Sequence, residues 1–145
     1  VENGYTVAWG ADVSEKGFTR NGIGVLPETK KENLVGTDQA KWVGAPTPTG
    51  KYTVNGPVKE QNVTQESRQL GFVNYQTTDD HGMLIYGIAK DQNGDRYYMV
   101  KNSWGEDSKY KGIWYVSKPF VMEKTINILV HKDAVPKEIR KKLGI

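Results

Sequence analysis

The 145-residue chain contains no cysteine. That absence excludes disulfides and thiolate metal sites, removes the strongest biological nucleophile, and leaves the redox compartment open. Long apolar runs are also missing, and none approaches the ~20 residues that span a bilayer. Val1 is followed by neither a charged n-region nor an apolar h-region, so no secretory signal is read there. With Val rather than Met first, the chain is expected to be a piece of something longer. Internal repeats and low-complexity tracts are absent too. Charge of one sign is scarce except at the end. The last ten residues, "PKEIRKKLGI", hold four basic groups and one acid, matching the whole chain's net charge of +3. A basic helix end is ordinarily a solvated face that suits the negative pole of the helix. Without an aromatic-interleaved basic patch, nucleic acid is not an expected partner.

What is present reads as one α+β domain over 1–145, mainly antiparallel sheet with peripheral short helices. "YTVAWGADV" (5–13) suits a buried strand. Residues 14–37 are rich in Gly and Lys and read as loop with short extended pieces. The stretch 44–62 carries Pro46, Pro48 and Pro57 and reads as a surface excursion. Thr64 is an N-cap candidate for a helix over 65–75. "GMLIYGIAKD" and "RYYMVKNSW" are two strands joined at Asn93-Gly94, the strongest short-range hairpin signal. Further strands are expected at 112–118 and 125–132, with a helical turn begun by Pro119 between them. A last helix has Pro136 in its first turn and Gly144 beyond its end.

Two polar residues draw attention. His81 follows Asp79 and Asp80 in a loop before a strand, where a lone histidine is commonly structural or merely exposed. Asn102 opens "NSWG", where an asparagine commonly hydrogen-bonds its own turn. In a hairpin closing near Gly94, the start of one strand lies beside the end of the other. His81 and Asn102 should therefore be neighbours. "DQNGD" (91–95) imitates a calcium loop, but Arg96 and Asn102 stand where its glycine and terminal acid belong, so no metal is assigned. Asn62-Val63-Thr64 fits a glycosylation sequon whose meaning depends on an export context. "NGIG" lacks the strand–loop–helix setting of a phosphate cradle, and His131 reads as a surface residue in the last strand.

"DDHGMLIYGIA" and "YYMVKNSWGEDSKYKGIWYVS" together resemble the C-terminal half of a papain-like cysteine peptidase. "WGADVSEKGF" (9–18), "NSWGEDSKYKG" (102–112) and "VHKDAVPKEI" (130–139) resemble its bleomycin hydrolase and aminopeptidase C branch. Residues 27–62 are the least recognisable part. The resemblance implies a papain-like C-terminal lobe, a β-rich half-barrel, whose partner is a missing N-terminal helical lobe. That lobe would carry the cysteine and an oxyanion-stabilising glutamine. It further implies that His81 is the catalytic base, that Asn102 orients it, and that Trp104 covers their contact in support. It implies peptide substrates, no metal and no organic cofactor. Relatives are cytoplasmic and form hexameric barrels, so a homo-oligomer is an expectation, whereas the compartment of this protein stays open. Asp80 precedes the histidine as an acid does in papain, and it could hold the imidazolium or merely cap the loop. Relatives also extend beyond the last helix into an arm that enters the cleft and favours free N-termini, and no such arm follows "KKLGI". Lacking a nucleophile, the chain alone is expected to be inactive and to expose an apolar face. The alternative is a non-catalytic lobe that binds a peptide or a partner.

Overall fold

The computed structural model describes residues 1–28 and 54–145. Among the described residues six strands form one sheet. They are β1 (Val7–Ala11), β2 (Ile23–Gly24), β3 (His81–Lys90), β4 (Arg96–Lys101), β5 (Ile113–Ser117) and β6 (Thr125–Val130). Their order is β2-β5-β4-β3-β1-β6. Every neighbouring pair is antiparallel except β2 and β5, which run parallel. The expected α+β class therefore holds, and the sheet is mainly antiparallel with one parallel pair. Helices α1 (Gln65–Val73), α2 (Lys118–Lys124) and α3 (Lys137–Leu143) lie at its margins. Of the expected surface excursion, residues 44–53 lie outside the described residues. The rest, 54–62, is irregular apart from an isolated bridge between Glu60 and Pro27.

Local chemistry explains the element ends. Thr64 and Ser67 form a reciprocal capping box on α1, each side chain accepting from the other's backbone N–H, at 3.1 and 3.0 Å. The hairpin between β3 and β4 closes on a five-residue loop, not on a two-residue turn. Asp91 Oδ1 accepts from the amides of Asn93 and Asp95, both at 2.9 Å, and Gly94 takes the left-handed φ of 88°. Those bonds explain "DQNGD" as a turn rather than a cation loop. Pairing shifts between Ile85 and Gly87, a bulge that keeps Ile85 opposite Val100 with both buried. Strand β6 stops at Val130, so His131 is not a strand residue as expected. It caps a short 3₁₀ turn, lies at the surface, and stacks on Tyr5 at 5.6 Å.

The core lies on one face of the sheet, where period-2 alternation places Trp9, Ala11, Met83, Ile85, Val100, Trp114 and Val116. Phe18, Leu26 and Phe120 close over them. The fully buried Phe120 comes from α2, whose start is capped by Ser117 Oγ accepting from the Phe120 amide at 3.2 Å. The same hydroxyl donates to Glu60 Oε2 at 2.5 Å, and that carboxylate also accepts from the Leu26 amide at 2.6 Å.

Glu60 has a measurable consequence. Burial raises its pKa above the ordinary 4.5, outweighing the bonds from Leu26 and Ser117, and Asp95 and Asp91 push the same way. A carboxyl whose folded pKa is raised favours folding fully below the unfolded pKa. That contribution is lost as pH climbs through the folded pKa. Glu60→Gln is therefore expected to raise the Tm at pH 7 and to leave it unchanged near pH 4. An equal shift at both pH values in thermal denaturation would contradict the assignment.

Candidate active site

His81 is the first residue of β3, a central strand, and it stands directly opposite Ala11 of β1. Asn102 is the first residue beyond β4 and is only 3 % exposed. Its amide donates to the Gly112 carbonyl at 3.1 Å, which ties the "NSWG" turn to the entry of β5. The structure brings the two side chains together: His81 Nε2 lies 2.7 Å from Asn102 Oδ1.

A second bond decides where the imidazole proton sits. The same Asn102 Oδ1 accepts from the Ser103 backbone N–H at 2.7 Å, and a backbone N–H can only donate. The atom facing His81 is therefore the carboxamide oxygen, and Nε2 must be the donor. In the neutral ring the proton rests on Nε2 and the lone pair on Nδ1. A base is thus presented at the nitrogen that Asn102 does not engage. The other end of the carboxamide, Nδ2, is buried with no hydrogen-bond partner among the described residues. An orphaned donor of this kind costs about 1–3 kcal/mol.

Trp104 follows in the same turn. Its ring centroid is 4.9 Å from that of His81, inclined by 38°. Behind it, Phe18 and Trp114 meet it edge-on at 5.7 and 5.6 Å, and the Arg20 guanidinium lies over it at 4.3 Å. The indole is thereby held against the imidazole. Phe18, Trp114 and Arg20 were not singled out in the sequence. Their spacing carries no motif, and only the packing reveals them. Asp80 caps the loop: its Oδ1 accepts from the Val13 amide at 2.9 Å, and its own amide donates to Ala11 O at 3.3 Å. His81 also lines a shallow groove with Trp9, Gly10, Gly82, Met83 and Asn127.

A cavity of about 280 Å³ lies at the far end of the hairpin, among Ile23, Asp91, Tyr97, Tyr110 and Tyr115, and includes none of these site residues. Burial there, reinforced by Glu60, Asp91 and Asp95, pushes the Tyr97 hydroxyl up to about 12. Among the described residues no cluster of three or more His, Cys, Asp or Glu side chains could hold a metal ion.

The sequence model of the Peptidase C1-like family matches residues 47–144, a span that includes the histidine strand and the "NSWG" turn. The chain belongs to the Peptidase C1-like family. Aminopeptidase W of Lactobacillus delbrueckii subsp. lactis is 37% identical over 59 residues, which are 41% of this chain and 14% of that protein. Aminopeptidase C of Lactococcus lactis subsp. cremoris is 36% identical over 59 residues, 40% of this chain and 14% of that protein. The crystal structure of PepW from Lactobacillus rhamnosis shares the fold with a TM-score of 0.59 and 18% identity. That match covers 99% of this chain and 26% of the PepW chain. The chain thus corresponds to a small part of its relatives' length. Its fold is that of a papain-like C-terminal lobe of the aminopeptidase C branch, in line with the resemblance read from the sequence.

Proposed function

We propose that these residues supply the base half of a cysteine peptidase, completed by a cysteine that another segment of a longer protein brings to the open side of His81. One observation carries the reading: Asn102 Oδ1, oriented by the Ser103 amide, engages Nε2 and leaves Nδ1 as the acceptor. Membership of the Peptidase C1-like family supports it.

The chemistry follows from that geometry. A thiol reaching Nδ1 passes its proton to the ring, and the thiolate is the nucleophile. The thiolate sulfur attacks the scissile peptide carbonyl. As the C–N bond breaks, the Nδ1 proton moves to the leaving amine, and a thioester remains. Water then gives a proton back to Nδ1 and attacks the thioester carbonyl, which releases the carboxylic acid and the thiolate. Throughout, Asn102 accepts from Nε2–H, holding the ring's direction in both protonation states. A neutral carboxamide suffices, because the imidazolium and thiolate already stabilise each other. Peptides are the proposed substrates, and no step calls for a metal or an organic cofactor.

The test is the pH dependence of thiol alkylation in the longer protein. With His81 intact, the reactive cysteine is expected to be modified by iodoacetamide with an apparent pKa well below the free-thiol value of ~8.5. His81→Ala should return the profile towards that value. Unchanged profiles in the two proteins would remove the proposal and favour a non-catalytic binding lobe.

A further inference from the structure

Asp12 lies just beyond β1 in the "WGADV" stretch, and its side chain is completely buried. A buried carboxylate is costly unless every lone pair finds a donor. Here it does. Oδ1 accepts from the Ser14 amide at 2.9 Å and from the Ser14 hydroxyl at 2.6 Å, and Oδ2 accepts from the Thr78 amide at 3.0 Å. Thr78 lies three residues before His81, 66 positions from Asp12 in sequence.

The segment 77–80 needs such an anchor. From His81 the backbone pairs with β1 and from Leu84 with β4, but the residues leading into it belong to no strand. Among the described residues several bonds join this turn to the body of the lobe, including the Val13 amide donating to the Asp80 carboxylate at 2.9 Å and Lys124 Nζ donating to the Thr77 hydroxyl at 3.2 Å. Thr77 donates to Gly71 O at 3.0 Å, and Thr78 donates to Asp12. Asp80 donates to Ala11 O at 3.3 Å, and the Asp79 carboxylate accepts from Asn127 Nδ2 at 3.0 Å. The Thr78 bond ends on a completely buried carboxylate, a charge-assisted bond of the stronger class. Asp12 is itself immobilised, because its amide donates to Lys124 O at 3.0 Å.

We infer that Asp12 is a positioning residue: by gripping the Thr78 amide it sets the approach to His81 and so the direction in which the imidazole presents Nδ1. The inference rests on the reading of His81 as the base. Its primary test does not, since it needs no nucleophile.

The measurement is long-range ¹H–¹⁵N NMR of the His81 ring in the 145-residue chain. The wild-type chain should show the Nε2–H form with a slowly exchanging proton. Asp12→Asn replaces an acceptor with an amide that cannot satisfy Ser14 and Thr78 together. It should speed exchange of the Nε2 proton by about tenfold or more. Ser14→Ala, a milder loosening of the same carboxylate, should act in the same direction, and it decides the matter if Asp12→Asn does not fold. Asp91→Ala is the control: it removes an Asp that anchors two amides at the opposite end of β3. It should lower the Tm without changing the His81 signals. In the longer protein, Asp12→Asn should reduce kcat about tenfold to a hundredfold with KM little changed. Folded variants that keep the wild-type Nε2–H exchange rate would overturn the inference. An altered ring signal in a parent devoid of peptidase activity would overturn the peptidase reading instead.

Discussion

His81→Ala in the full-length parent is expected to lower kcat/KM by at least about 10⁴-fold, the scale on which loss of a proton-transferring member silences a catalytic triad. The expectation follows from the single proton route available. Asn102 occupies Nε2, so Nδ1 alone can exchange protons with a thiol, an amine or a water. Without the ring, the thiol keeps its ordinary acidity and the leaving amine has no proton donor. Asn102→Ala should cost less, about 10²-fold, because the base survives and only its direction is lost. It relieves Nδ2, which has no partner among the described residues, but takes the acceptor from the Ser103 amide and His81 Nε2. The two effects oppose each other, so its net stability change is expected to be small. Steady-state kinetics on both variants check the ordering. Near-normal turnover by His81→Ala would eliminate the mechanism, and a larger loss in Asn102→Ala than in His81→Ala would reverse the assigned roles.

Trp114→Ala is expected to destabilise the chain by about 3–5 kcal/mol, as for other buried large aromatics. Trp114 is 2 % exposed, stacks on Phe18 at 6.1 Å with planes 6° apart, and donates through Nε1 to Thr19 O at 2.9 Å. Removing it leaves a cavity, takes one of two donors from the Thr19 carbonyl and strips one of two edge-on supports from Trp104. Against a typical total of about 5–15 kcal/mol, that is a large share. Urea denaturation gives the measurement, and a change under about 1 kcal/mol would show that the aromatic cluster does not organise the core. Because Trp104 leans on Trp114 and His81 leans on Trp104, the same substitution should speed exchange of the His81 ring proton in a chain that still folds.

Much of this lobe is written locally. Alternation in "GMLIYGIAKD" and "RYYMVK", with Asn93-Gly94 between them, specifies a hairpin whatever surrounds it. A hairpin of that length brings His81 to Asn102 through chain geometry alone. The end of β6 was less legible: the expected strand over 125–132 stops at Val130, since His131 caps a turn by accepting from the Asp133 amide. The two-residue β2 was too short for any periodic signal. It exists because Ile23 and Gly24 lie alongside Tyr115 and Val116.

The amino-acid order by itself determined strands β3 and β4, their hairpin and the meeting of an imidazole with a carboxamide at its mouth, because each depends on neighbours within one β-ribbon. Only the tertiary structure decided which ring nitrogen stays available, what braces the indole over it, and that Asp12 holds the turn before it. The physical reason is distance along the chain. Trp114 reaches Thr19 across 95 positions and Asp12 reaches Thr78 across 66, and no local preference encodes contacts that form only when the sheet closes on its core.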